Sequence, residues 1–121
     1  MNFYLCLICG NVIELIDGVA NRIACCNQEM ELLVPNTVDA ALEKHVPFCE
    51  IVDGKVNVQI GEVVHPMVED HYILFIAIVK GSKISRVDLK PGMEPKATFT
   101  YEEGSTIFAY CNKHGLWKKD I

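Results

Sequence analysis

Phe48-Cys49-Glu50-Ile51-Val52-Asp53-Gly54-Lys55-Val56-Asn57-Val58-Gln59-Ile60 carries the pattern of a β-hairpin. Val56, Val58 and Ile60 alternate with Asn57 and Gln59, the two-residue period of a strand with one face in a core. Asp53-Gly54 is a hairpin signal, because the tightest turn needs a positive φ at both central positions. Residues 48–52 and 56–60 therefore read as paired strands. The same grammar repeats downstream. His71 opens a run through Val79 that is apolar on both faces, as in a central sandwich strand or a subunit contact. Lys80-Gly81-Ser82 turns the chain into residues 84–89, and Lys90-Pro91-Gly92 interrupts it again. Ala97, Phe99 and Tyr101 alternate with Thr98 and Thr100, and Glu102-Glu103-Gly104 leads into a strand over 105–111. About seven short strands at turn-marked spacing favour an immunoglobulin-like seven-stranded β-sandwich, with a small barrel as the competitor.

Upstream of Pro47, residues 36–44 read as a loop with one helical turn, capped by Asn36 or Thr37 and stopped by the proline. It delivers Glu43, Lys44 and His45 to a surface site; the plainer reading makes the two charges solvated.

Residues 1–36 read as a separate small domain before the sandwich of 37–121. Residues 3–5 and 12–16 are short strands, Asp17-Gly18 is a turn, and residues 19–24 return toward a second pair of cysteines. Cys6 and Cys9 form a C-x-x-C pair and Cys25 and Cys26 are adjacent. Two such pairs describe a four-thiolate tetrahedral site, provided the backbone turns tightly at the second. Gly10 can turn successive amides toward the thiolates. The spacing does not choose between iron and zinc, and a disulfide framework is the alternative. The lobe has few apolar side chains, so metal binding would supply much of its folding energy.

Cys111 and His114 stand three residues apart after the strand at 105–111, and His45, His65 and His71 complete the histidines of the chain. All four stand near the ends of elements, where a rigid sandwich presents a site. One thiolate and four neutral imidazoles make a five-coordinate set that suits iron better than zinc. The bland reading is unrelated histidines with Cys111 as a small core residue.

The chain has 121 residues, half of them hydrophobic, and 16 acidic against 11 basic residues. A formal charge of -5 argues against a nucleic-acid surface. No apolar run reaches membrane-span length, and the N-terminus lacks a secretory pattern, so a soluble cytoplasmic protein is expected.

Glu43-Lys44-His45-Val46-Pro47, His65-Pro66-Met67, His71-Tyr72-Ile73 and Tyr110-Cys111-Asn112-Lys113-His114-Gly115 together resemble superoxide reductase. With the first lobe, which resembles desulforedoxin, the whole chain looks like the two-iron desulfoferrodoxin family. The resemblance implies that Cys6, Cys9, Cys25 and Cys26 hold one iron, with zinc substitution possible there. It implies a catalytic iron with His45, His65, His71 and His114 as equatorial ligands and Cys111 as axial thiolate. His114 would bind through Nδ1 and the other three through Nε2. Glu43 matches a carboxylate that occupies the open position in the ferric state, and Lys44 the cation beside it. Leu74 and Phe75 stand where the family often carries a polar residue and tryptophan. Cys49 is an extra thiol, read as buried and inert.

The implied activity is one-electron reduction of superoxide to hydrogen peroxide, with a rubredoxin-like donor and a homodimer. Ferrous iron with one thiolate carries a local charge of about +1, which attracts the anion. Two other classes stay open on the residues alone: a non-catalytic iron electron-transfer protein, and a β-sandwich interaction module with a structural zinc site.

Overall fold

The computed structural model describes residues 2–18 and 22–121. It contains two compact units, Met1–Val34 and Pro35–Ile121.

In the first unit β1 (Asn2–Leu5) is the middle strand of a three-stranded sheet, between β2 (Val12–Leu15) and β5 (Glu31–Leu32). A separate two-stranded ribbon joins β3 (Ala24–Cys25) to β4 (Gln28–Glu29). The segment 19–24 is expected from the sequence to return toward the second cysteine pair. Its residues 19–21 lie outside the described residues, and Ala24 and Cys25 pair with Glu29 and Gln28. Cys26 and Asn27 turn that ribbon with φ of 53° and 58°. These are the paired positive angles of a type I′ turn, the tight turn that adjacent cysteines need. Among the described residues Tyr4, Cys6 and Met30 form a small buried cluster, with Leu15, Ile23 and Cys25 partly buried against it and Phe3 buried besides, so the unit depends on something besides apolar burial.

The second unit is a β-sandwich of seven strands. One sheet has the order β10 (Lys96–Thr100), β7 (Lys55–Ile60), β6 (Pro47–Val52). The other has the order β12 (Gly115–Asp120), β11 (Thr106–Cys111), β8 (Ile73–Lys80), β9 (Lys83–Asp88). Asp53 and Gly54 join β6 to β7 with φ of 50° and 75°, the hairpin read from the sequence. Val56, Val58 and Ile60 enter the core beside Ile73, Ile76, Ile107 and Cys111. β8 is buried on both faces, as its unbroken apolar run requires of a strand flanked by β11 and β9.

Three details depart from the sequence reading. The helical turn is α1 (Leu42–His45), one turn later than expected, and no side chain caps it. Asn36 is committed elsewhere: its Oδ1 accepts the Lys118 N–H at 2.9 Å and its Nδ2 donates to the Lys118 carbonyl at 3.3 Å. β12 was not anticipated; the chain after Cys111 makes a hairpin and pairs antiparallel with β11. His71 precedes β8 rather than opening it, held in an isolated bridge to Val68.

Candidate metal centres

The cysteine pairs of the first unit meet. Cys6, Cys9, Cys25 and Cys26 offer sulfur atoms within 4.8 Å of one another. Cys9 and Cys25 Sγ are 3.6 Å apart, and Cys25 and Cys26 Sγ 3.9 Å. A tetrahedral ion with metal–sulfur bonds of about 2.3 Å requires sulfur–sulfur edges of about 3.8 Å. All six cysteines of the chain are free, which removes the disulfide framework. The backbone amides of Cys9 and then Ile8 face Cys6 and hold its thiol down to about 6, against the opposing effect of burial. Hydrogen bonding to Cys9, Cys25 and Cys6 pushes Cys26 up to about 12. Four thiols crowded without a cation cannot all ionise, and a bound cation reverses that balance.

The second cluster lies at one end of the sandwich core. His45 comes from α1, and His65 from the turn after β7. His71 sits between the Val68 bridge and β8. Cys111 ends β11, and His114 lies in the hairpin to β12. His45, His71, Cys111 and His114 offer donor atoms within 4.8 Å of one another. His65 joins them, its Nε2 standing 3.2 Å from His45 Nε2.

The four imidazoles form a square. Neighbouring ring centroids are 4.7 Å apart for His45–His65, 4.7 Å for His65–His71, 5.0 Å for His71–His114 and 4.8 Å for His45–His114. The His45–His71 diagonal is 6.4 Å. A flat square of that side has a diagonal of about 6.8 Å, whereas a tetrahedral grouping brings every pair to one distance. The rings are therefore not the equidistant grouping of a tetrahedral site, and Cys111 Sγ stands 4.0 Å from His114 Nδ1.

Tautomers are fixed by the backbone. The Ala41 carbonyl accepts from His45 Nδ1–H at 2.7 Å, and the Pro66 carbonyl from His65 Nδ1–H at 2.7 Å. Both rings thus present a bare Nε2 to the centre. His114 presents Nδ1, 3.0 Å from His45 Nε2. Among the described residues His71 Nε2 is the one buried side-chain nitrogen or oxygen with no hydrogen-bond partner. An orphaned nitrogen and two bare nitrogens facing each other are costly unless a cation joins them. Burial lowers His45 and His71, and it lowers His65 to about 4. All three rings are held neutral, the form a metal needs. Burial raises Cys111, while the amides of Lys113 and His114 oppose it. Trp117 stacks on His45 with ring centroids 5.0 Å apart, and its Nε1–H donates to the His114 carbonyl at 3.0 Å.

Glu43 and Lys44 share α1 with His45 but are exposed. Glu43 lines a recess with Leu42, Val46, Pro47, Phe48 and Lys119, and no hydrogen bond or ion pair joins either side chain to an imidazole. Their charges reach His45 through space, Lys44 lowering its proton affinity and Glu43 raising it. Cys49 packs against the sandwich core, and burial pushes its thiol up to about 11, as expected of an inert cysteine.

Two supporting residues were not singled out by sequence reasoning. Gly61 has φ of 83°, and a Cβ there would overlap the Val63 carbonyl oxygen and lie 2.7 Å from the Lys44 backbone. Val63 N–H donates to the Glu43 carbonyl at 2.9 Å across the same contact. A glycine close to a predicted strand end was the available signal. The other is Asn112, whose side chain bonds to the backbone on either side of His71.

A β-sandwich carrying four clustered imidazoles beside a buried cysteine, with a four-cysteine cluster in a small separate unit, defines a two-centre non-haem metalloprotein whose donor sets fit iron. The family model described as desulfoferrodoxin matches residues 37–120, and that for the desulfoferrodoxin N-terminal domain matches residues 1–33. The chain belongs to the desulfoferrodoxin family. It is 45% identical to desulfoferrodoxin of Desulfarculus baarsii over 121 residues, covering 99% of this chain and 96% of that one. It is 44% identical to a desulfoferrodoxin homolog of Archaeoglobus fulgidus over 119 residues, covering 98% and 95%. The crystal structure of the superoxide reductase from Treponema pallidum superposes with a TM-score of 0.76 at 28% identity, covering 98% of each chain.

Proposed function

We propose that this chain is a superoxide reductase, converting superoxide, one electron and two protons into hydrogen peroxide at the histidine–cysteine centre. The observation that carries the reading is the square of four imidazoles beside buried Cys111. The relatives named above support it.

The ligands are His45, His65 and His71 through Nε2, His114 through Nδ1, and Cys111 through its thiolate. Ferrous iron bound there supplies the electron. Four neutral imidazoles and one thiolate leave a divalent centre with excess positive charge. That patch attracts a small anion although the chain as a whole carries -5. Lys44 strengthens the attraction from the exposed face of α1. Glu43, beside it, would offer its carboxylate as a replaceable ligand to an oxidised iron held there. Burial alone favours the neutral Cys111 thiol, so a bound cation would be what holds it as a thiolate, with the amides of Lys113 and His114 helping; the sulfur would then donate charge to the iron. Protons arrive from water at the exposed rim.

The four cysteines of the first unit hold a second iron that relays electrons or braces the lobe. Residues 1–36 and 37–121 act as a four-cysteine domain and a catalytic sandwich domain. A rubredoxin-like protein is the electron donor, the protein works as a homodimer, and it works in the cytoplasm. No helix of the described residues is long and apolar enough to cross a membrane.

Pulse radiolysis of the iron-loaded, reduced protein tests the reaction. A reductase yields one peroxide for each superoxide consumed; dismutation yields one for two. The lower ratio, or superoxide decay no faster than in buffer, sinks the reading.

A further inference from the structure

Asn112 lies between the two ligand residues of the β11–β12 hairpin, yet its side chain is occupied with the segment around His71. Its Oδ1 accepts the Tyr72 N–H at 2.9 Å, and its Nδ2 donates to the Asp70 carbonyl at 3.0 Å. Its own N–H donates to the Tyr72 carbonyl at 3.2 Å. The amide therefore spans His71, gripping the residue before it and the residue after it.

The sheet explains why a side chain is needed. β8 and β11 pair regularly from Thr106↔Val79 to Tyr110↔Phe75, then the register shifts and Cys111 pairs with Ile73. The bulge leaves Leu74 unpaired and ends the regular ladder at Ile73, one residue short of Tyr72. His71 has its own peptide groups bonded to Val68, both at 3.0 Å, which fixes it to one neighbour only. On the other side the carboxamide of Asn112 takes the place of the missing strand.

We infer that Asn112 is a positioning residue for His71, coupling that ligand to the hairpin that carries Cys111 and His114. The inference rests on the proposed assignment of His71 as a ligand. Among the described residues His71 Nε2 is the buried ring nitrogen with no hydrogen-bond partner, and the ring is not anchored to a backbone carbonyl as those of His45 and His65 are. Its orientation therefore depends on the backbone, and the backbone is held by Asn112. Such outer partners of a metal ligand typically alter retention by about 10- to 100-fold.

The test compares iron-loaded parent, Asn112→Ala and Asn112→Asp. Aspartate keeps an acceptor for the Tyr72 N–H and loses the donor to the Asp70 carbonyl. Chelator-driven loss of iron from the histidine–cysteine centre should be about 10-fold faster in the alanine variant, with aspartate in between. The thiolate-to-iron absorption of Cys111 should shift in the same order, while the four-cysteine absorption stays unchanged. Parent-like retention and spectrum in the alanine variant overturn the inference, and so does equal loss from both centres. If the alanine variant does not fold, Asn112→Ser, too short to reach both groups, takes its place. Parent activity with no effect at Asn112 defeats the positioning role alone. Ranked iron loss in a parent that does not reduce superoxide defeats the enzyme reading alone.

Discussion

His45 Nε2 and His65 Nε2 face each other at 3.2 Å while each ring spends its Nδ1–H on a backbone carbonyl. Two lone pairs at that distance repel unless a proton or a metal ion lies between them. The backbone of residues 41 and 66 thus selects the ligand nitrogen before any metal arrives.

Metal removal therefore leaves a pH-sensitive site. An unfolded histidine takes up a proton near pH 6.5, whereas burial holds folded His65 neutral to about 4. Between these values the unfolded chain binds more protons, so stability falls as pH falls. His65 contributes up to about 1.4 kcal/mol per pH unit in that window and nothing further below it. His45 and His71 shift in the same direction. Urea midpoints of chelator-stripped protein from pH 7.5 to 4 should decline. A flat profile between 6.5 and 5 contradicts the assignment.

Changing Cys9 to serine should abolish the ferric-thiolate absorption of the first centre and loosen residues 1–34. The sandwich should keep its thermal transition, since its core of Val56, Ile60, Ile76 and Ile107 is independent of those cysteines. Near-parent absorption from a loaded four-thiolate site in this variant rejects that assignment.

The sandwich was legible because its core strands are written in alternation and turn dipeptides. Val56, Val58 and Ile60 point inward where period two places them, and Asp53-Gly54 makes the turn its residues permit. β12 was illegible: only Leu116 and Trp117 are buried in it, and Lys118, Lys119 and Asp120 hide the pattern. It exists because β11 offers a free edge, a tertiary cause that local sequence does not encode. The cap at residues 36–37 failed for the same reason, since Asn36 bonds to Lys118 across the fold. The nine proposed ligands were visible from spacing and resemblance. Gly61 and Asn112 were not, because their importance lies in what they touch.

Gly61→Ala should disturb the centre without altering a ligand. The left-handed backbone alone costs about 1–3 kcal/mol for a residue with a Cβ. The added carbon also meets Lys44 at 2.7 Å. It overlaps the Val63 carbonyl oxygen as well, so relief requires both the turn at Val63 and α1 to shift, and α1 carries His45. The thermal midpoint should fall and iron should leave faster. Parent-like values for both would show that the contact relaxes freely.

Cys111→Ser should lower iron retention and erase thiolate-to-iron charge transfer, because a hard oxygen donor replaces sulfur in a fully buried position. Iron-edge X-ray absorption of the parent's isolated second centre should show one sulfur neighbour. Finding none removes Cys111 from the ligand set.

Lys44 and Glu43 are adjacent on α1, and both are exposed, yet the proposed chemistry separates them in time. Lys44 acts before electron transfer, by field alone, so Lys44→Ala should slow the second-order encounter with superoxide. Exposed charges are screened over about 10 Å at 0.1 M salt, so the loss should be largest at low ionic strength and fade as salt rises. A several-fold drop in rate fits one charge acting through solvent. Glu43 acts after product leaves, so Glu43→Ala should spare the encounter rate and change the spectrum and decay of the oxidised centre. Its side chain lines the recess beside Val46 and Lys119 and is not bonded to the imidazoles, so reaching the centre requires α1 or the side chain to swing. Pulse radiolysis of both variants at several ionic strengths resolves the two stages. An unchanged encounter rate and salt dependence in fully iron-loaded Lys44→Ala rules out the steering role. A parent-like oxidised spectrum in Glu43→Ala rules out the carboxylate as the later ligand.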